Sequence, residues 1–186
     1  LGLGQLSLTK VMVLVDKGVD VKNRGQVLEQ IRKNFDPIDS IMLISQAPTD
    51  TLDFTSKKTH YGNKLVINAT TKSEEVNLLP PVIPSDLKAI DSRINKWKLF
   101  KNALLVVSVD KDGSEVVKKL INSPLISNIK IVAVVSSDID VNNDVEVMWG
   151  IFTRFDPGDD IYFNKQEFIG AVPKYSGTMG IDACLL

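Results

Sequence analysis

Two stretches of this chain carry the same order of apolar and polar positions. Val11-Met12-Val13-Leu14-Val15 and Ile129-Lys130-Ile131-Val132-Ala133-Val134-Val135 are short apolar runs rich in branched residues, the pattern of a buried strand. An asparagine follows each run, Asn23 or Asn143, three residues ahead of Gln26 or Glu146. That spacing predicts a capping box, in which the Asn side chain accepts from the third helical amide and Gln or Glu returns to the cap. Val27, Leu28 and Ile31 then line one face of a first helix, and Val147, Met148, Ile151 and Phe152 one face of a second. Trp149, at the edge of that second face, is expected to be mostly buried, in the core or across a subunit contact. Asp36-Pro37 and Asp156-Pro157 stop both helices, because a proline pushes the residue before it out of the helical region. Further strands are predicted at Ile41–Ile44 and Ile161–Phe163.

The likeness is a duplication. At an offset of 120 residues, without a gap, Val11–Ile41 aligns with Ile131–Ile161, and 11 of 31 positions are identical. After a short indel, Tyr61 and Ile67-Asn68-Ala69 match Tyr175 and Ile181-Asp182-Ala183. Two copies are too few for a solenoid. They are expected to superpose as strand–helix–strand units, with Val11–Val15 over Ile131–Val135.

Between the copies, Asn77-Leu78-Leu79-Pro80-Pro81-Val82-Ile83-Pro84 reads as an extended strap. Ser85 is expected to cap a short helix through Ile94. Asn102–Val109 reads as a strand, and Asp112 as the cap of a helix bearing Val116, Val117, Leu120 and Ile121. The order β-α-β-α-β over residues 102–164 implies parallel pairing. The fold class expected is α/β: internally duplicated β-α-β units forming a mixed sheet flanked by helices. The expected divisions are residues 1–72 for the first copy, 73–95 for a proline-rich linker with a short helix, and 96–186 for the second copy with an extra β-α unit.

Composition excludes several functions. Twenty-two basic and 23 acidic residues leave no basic footprint for nucleic acid and no cationic face for a membrane. No apolar run is long enough for an integral membrane segment, so a cytoplasmic setting is the default. The chain starts without methionine or a signal-peptide pattern, which suggests a fragment of a longer polypeptide. One cysteine and one histidine, Cys184 and His60, exclude an internal disulfide and any multi-Cys or multi-His metal centre.

Candidate chemistry is thin. Gly2-x-Gly4-x-x-Ser7 has the outline of a dinucleotide fingerprint but is followed by a strand instead of a helix. Asp138–Asp144 begins like a calcium loop, yet Asn143 and Trp149 stand where glycine and a bidentate glutamate belong. Cys184 lies among Ala183, Leu185 and Leu186, with nothing adjacent to activate its thiol beside His60. Asp36, Asp39, Asp156, Asp159 and Asp160 sit at proline turns, where aspartate is favoured for turn-making.

Longer patterns carry a resemblance. Gly4-Gln5, Thr9-Lys10, Asp20-Val21, Phe35-Asp36-Pro37, Pro48-x-Asp50-x-Leu52-Asp53-Phe54, Gly62-x-Lys64 and Asn68-Ala69-Thr70-x-Lys72 are similar to the C-terminal domain of UbiD-type decarboxylases. The second copy adds Asp138-Ile139-Asp140-Val141, Trp149 and Thr153-Arg154-Phe155-Asp156-Pro157. The first copy departs from that pattern, with Glu29 and Lys33-Asn34 in place of Trp149 and Thr153-Arg154. The duplication resembles the branch tied to menaquinone synthesis.

The resemblance implies non-oxidative decarboxylation of aromatic or α,β-unsaturated acids in quinone (menaquinone or ubiquinone) biosynthesis. It implies prenylated FMN, a divalent metal and potassium in the full-length parent, with the reacting arginine and acidic residues in an upstream flavin-binding domain. The present chain is then an assembly and closure domain, inactive by itself, binding no cofactor, with the flavin domain and further copies of itself as partners. Lys10 is the single cofactor-binding candidate, as a cation near the flavin phosphate; no catalytic or metal residue is expected. The rival readings are a free-standing oligomerisation module and a small-ligand sensor binding at strand ends.

Overall fold

The computed structural model describes residues 8–72 and 78–185. Leu1–Ser7, with the glycine outline and Gly4-Gln5, lie outside these, as do Asn77 and Leu186. The first copy supplies β1 (Val11–Leu14), α1 (Arg24–Asn34), α2 (Pro37–Ser40), β2 (Ile41–Pro48) and β3 (Tyr61–Asn68). The remainder supplies β4 (Ile94–Phe100), β5 (Leu104–Val109), α3 (Gly113–Ile121), β6 (Ile131–Ser136), α4 (Asp144–Arg154), β7 (Ile161–Ile169) and β8 (Val172–Ala183).

The copies build two mixed sheets, of order β1-β3-β2 and β4-β5-β6-β8-β7. In the first, β3 pairs in parallel with β1 and antiparallel with β2. In the second, β8 does the same between β6 and β7. The register is reproduced as well: the cross-strand row Met12–Val66–Met42 has its counterpart in Val132–Gly180–Tyr162. The matching outer strands of the two copies are thus joined through a later central strand, β3 or β8.

Each copy turns an apolar face to the other. Val11, Val13, Leu65 and Ile67 of the small sheet, and Ile131, Ala133, Met179 and Ile181 of the large one, share one core with α1 and α4. Phe35 and Phe155, at matching positions, are both fully buried there. The other face of the large sheet packs Leu105, Val107, Val132 and Val134 under Val116, Val117, Leu120 and Ile121 of α3.

The helix starts follow the expected caps with one difference. Asn23 accepts from Gln26 N, and Asn143 from Val145 N and Glu146 N. Gln26 and Glu146, however, reach past the cap amide: Gln26 Oε1 accepts from Asp20 N at 2.9 Å and Glu146 Oε2 from Asp140 N at 3.0 Å, while Glu146 Oε1 returns to the Asn143 side chain at 2.8 Å. The reason is that the amides of Asn23 and Asn143 already donate to the carbonyls of Asp20 and Asp140. Both copies therefore use a longer loop lock.

Four other expectations change. The strap does run extended, with Val82 bridging to Ser127. Past it there is only a 3-10 turn at Leu87–Ala89, capped by Asp86 instead of Ser85, and Ile94 opens β4. Asp112 takes the cap position of α3 in a left-handed conformation with no capping bond, because its carboxylate is drawn to Arg93 at 2.9 Å. Trp149 is 60% exposed on the single chain and so is not a core residue: Val147 and Ile151 take the core face, and the indole lies outside it under the Arg154 guanidinium, 5.5 Å from the ring centre, which leaves only the subunit contact of the two expected places. Finally, the extra unit of the second copy is β-β-α.

Candidate functional site

Lys10 stands at the entry to β1, and its Nζ donates to Asp53 Oδ1 at 3.1 Å and Thr55 Oγ1 at 3.2 Å. The side chains of Lys10 and Asp53 are only 13% and 9% exposed. The ammonium also lies 5.4 Å from the centre of the Phe155 ring, which comes from the other copy. The Asp53 turn is tied further by Thr55, whose amide and hydroxyl both donate to Asp53 Oδ1. Burial pushes the Asp53 carboxyl up, but the Thr55 and Lys10 hydrogen bonds outweigh it and hold the group below its ordinary value. Lys64, also buried, donates to Thr9 O at 3.0 Å. Burial lowers its ammonium, opposed by the charge of Asp53. The first copy's Thr9-Lys10, Asp53 and Lys64 motifs thus form one buried charged cluster, set against the second copy's Phe155.

The neighbouring residues of the second copy are also paired. Arg154, 8% exposed, forks onto Asp138 with bonds of 2.8 and 2.6 Å. The Asp138 carboxyl is lowered by that bond and the Arg154 guanidinium raised. Asp138, first residue of the calcium-like stretch, is therefore committed to an arginine. Asp156 accepts from Asn63 Nδ2 of the first copy at 2.5 Å and from Gly158 N at 2.7 Å, while Lys57 pairs with Asp159 at 2.8 Å. Between these motifs runs a cleft of about 590 Å³, lined among others by Phe54, Thr55, Lys57, Arg154, Asp160 and Cys184. Asp160, on its wall, is raised chiefly by burial and secondarily by the charges of Asp182, Asp156 and Asp159.

The remaining candidates stay apart. His60 is exposed in the turn before β3. The Cys184 thiol is half-buried and pushed up to about 12, first by burial and then by the Asp182 charge. Asp36 caps the amide of Ile38, and Asp39 pairs with Lys72. Among the described residues no group of three His, Cys, Asp or Glu side chains is placed to hold a metal ion. A flavin phosphate needs unpaired donors, and Lys10, Arg154 and Lys57 each already face a carboxylate. Among the described residues these three cations of the seam are thus committed to carboxylates and do not fit a flavin phosphate as they stand. Sequence reasoning missed Arg154–Asp138 and Phe155–Lys10 as pairs; the i+16 spacing of the first and the cross-copy nature of the second leave no local pattern to find.

The model of the 3-octaprenyl-4-hydroxybenzoate carboxy-lyase C-terminal domain, UbiD_C, matches residues 1–69 and 78–183. The chain belongs to this UbiD C-terminal family. An uncharacterized protein of Chlamydia trachomatis is 26% identical over 191 residues, spanning all of this chain and 31% of the relative. One from Helicobacter pylori is 29% identical over 182 residues, 90% of this chain and 28% of the relative. One from Aeropyrum pernix is 40% identical over 75 residues, 40% of this chain and 15% of the relative. The chain therefore spans less than a third of the length of each.

Among solved structures, an evolved dimeric form of the UbiD-class enzyme HmfF from Pelotomaculum thermopropionicum, in complex with prFMN, overlaps 53% of this chain and 23% of its own. Its sequence identity is 25% and its TM-score 0.41. Vanillic acid decarboxylase of Sedimentibacter hydroxybenzoicus in closed form overlaps 71% of this chain and 36% of its own, at 18% identity and a TM-score of 0.41. The family assignment rests on the UbiD_C match and the motif residues. Among the described residues no helix is long and apolar enough to cross a membrane.

Proposed function

We propose that this chain is the assembly and closure region of a UbiD-like, non-oxidative decarboxylase of aromatic carboxylic acids in menaquinone or ubiquinone synthesis. The observation that carries the reading is the state of the family motifs: those of both copies meet at one seam, where the Lys10, Lys57 and Arg154 cations are each paired with a carboxylate. Such an arrangement stiffens the seam and commits its three cations to carboxylates. The electron sink of the parent is its prenylated FMN, held with a divalent metal and potassium by the upstream domain. This region supplies a wall against which that domain shuts and a surface for association into a homo-oligomer, and closure of that kind excludes water from the reacting groups.

Steady-state decarboxylation assays on the parent, on residues 1–186 alone and on the parent lacking them test the proposal. The parent should turn over with prenylated FMN, the fragment should not, and the deletion should lose most activity. Turnover by the fragment, or full turnover by the deletion, overturns the reading. Lys10 reaches the flavin phosphate of the parent only if its ammonium leaves Asp53. Lys10→Met in the parent separates the two roles: lost flavin retention marks phosphate contact, and retained flavin with lowered stability marks a brace.

A further inference from the structure

The two copies are built alike but covered unequally. In the large sheet, β6 has β5 paired in parallel on its outer edge, and α3 lies over Val132, Gly180 and Tyr162. The fit is close: a Cβ on Gly180 would stand 2.7 Å from Val117 Cγ2. In the small sheet, β1 is an edge strand, and among the described residues nothing pairs with its outer side. The face that matches the α3-covered one carries Met12, Leu14, Met42, Ile44 and Val66, with Asn68 and the buried Lys64 at its two ends. Leu14 is 41% exposed where its counterpart Val134 is 0% exposed, and Met42 is 58% exposed where its counterpart Tyr162 is part-buried against the α3 cluster. An open parallel edge beside an apolar face is a template for a further strand and a hazard if left bare.

We infer that this face and edge receive a strand–helix unit from the polypeptide N-terminal to this chain in the parent protein. The second copy shows the form of the occupant. It is a fully buried strand parallel to β1, like β5, followed by a helix with an apolar stripe at the spacing of Val116, Val117, Leu120 and Ile121. Shifted back by the 120-residue offset, the counterparts of β5 and nearly all of α3 fall before Leu1. The full-length relatives have ample chain to supply them, since this chain spans less than a third of their length. One adjustment follows from the residues: Val66 stands where α3 meets Gly180, so the covering helix carries a small residue at that point or lies farther out. The junction is then a shared fold instead of a flexible tether, which places the upstream domain in fixed register on the first copy.

Methionine oxidation reads this directly in the unmodified parent, because the chain's four methionines sample the relevant sites. Met12 and Met42 lie on the face in question, and Met179 is fully buried as an internal reference. Under dilute peroxide with peptide mass spectrometry, Met42 in the parent should oxidise more than ~10-fold slower than an exposed methionine, since covered sites react only through opening. The outward-facing amides of β1, those not bonded to β3, should resist hydrogen exchange in the same sample. Rapid oxidation of Met42 with Met179 intact overturns the inference. So does protection of Met42 that disappears on dilution, which identifies a second copy as the cover. Protection of Met42 without protection of the outward-facing β1 amides also overturns it, because a partner then lies on the face without adding a strand. None of these readouts depends on decarboxylase activity.

Discussion

Arg24 and Asp144 occupy equivalent positions in the two copies and touch each other, Arg24 Nη1 donating to Asp144 O at 3.4 Å. Equivalent residues meet only where a two-fold axis passes, so the copies face each other as the halves of a symmetric dimer do. The exchange continues away from the axis. Asn63 at the β3 end reaches Asp156 in the second copy's turn, and Lys174 of β8 reaches Ile38 O in the first copy's turn. Covalent linkage has let the two halves diverge: Arg24 faces a carbonyl beside an acid, where a true dimer would set arginine against arginine.

The shared core makes the two halves interdependent. Phe35→Ala and Phe155→Ala each remove a fully buried ring from one apolar cluster, and each should cost about 3–5 kcal/mol. Urea unfolding of either variant should show a single transition in which both copies melt together. Two separated transitions, with only the mutated copy weakened, would show that the copies fold independently.

The sequence exposes the duplication and its helix caps because those signals are local: Asn23 and Asn143, the proline stops, the apolar runs. It hides β4, since the register shift between Ile94 and Lys96 breaks the two-residue period and the turn at Lys101-Asn102 has positive φ without a glycine. It also hides β8, whose Gly177 and Gly180 read as loop residues. They are there to admit Asn164 and α3, which no window of the sequence places beside them. The candidate site was legible as motifs but not as pairs. Lys10 carries no sign of Asp53, 43 residues on, or of Phe155 in the other copy.

Acid should unfold the protein through a few identifiable carboxyls. Asp91, buried and bonded to Arg93 and Lys119, is held well below the usual range, first by the Arg93 bond. Asp53 and Asp138 are lowered as well. The folded state thus binds these protons less tightly than the unfolded chain. Their stabilisation is complete above about pH 4 and drains as pH falls through the lowered native values. Asp160 is raised, so its protonation favours the fold and blunts the loss. Asp91→Asn should lower neutral stability by roughly 1.5–3 kcal/mol and flatten the acid limb. An unchanged acid limb in urea titrations would remove Asp91 from the account.

Cys184 should be nearly inert in the native state. With its thiol pushed up to about 12, the reactive thiolate is scarce at pH 8. Iodoacetamide labelling should track global unfolding and accelerate with urea in step with the fluorescence transition. Fast labelling without denaturant would show that the C-terminal segment opens by itself.

The Lys10–Asp53 pair offers the sharpest test of whether the seam is structural. Among the described residues the buried Asp53 Oδ2 has no hydrogen-bond partner, so the carboxylate relies on Lys10 and Thr55 at its other oxygen. Lys10→Met removes the cation and strands that charge, at a cost of about 3–5 kcal/mol, whereas an exposed pair would lose under ~1. Asp53→Leu strands the ammonium, which among the described residues keeps the Thr55 hydroxyl and the Phe155 ring. The double variant Lys10→Met/Asp53→Leu removes both partners of the pair and leaves Lys64 on the Thr9 carbonyl, so it should be more stable than either single variant. A double-mutant cycle by urea denaturation then yields a coupling energy of at least ~1.5 kcal/mol. Additive losses would mean that the pair is incidental. Single losses below ~0.5 kcal/mol would mean that Lys10 turns outward in solution, free to meet an anion from the upstream domain.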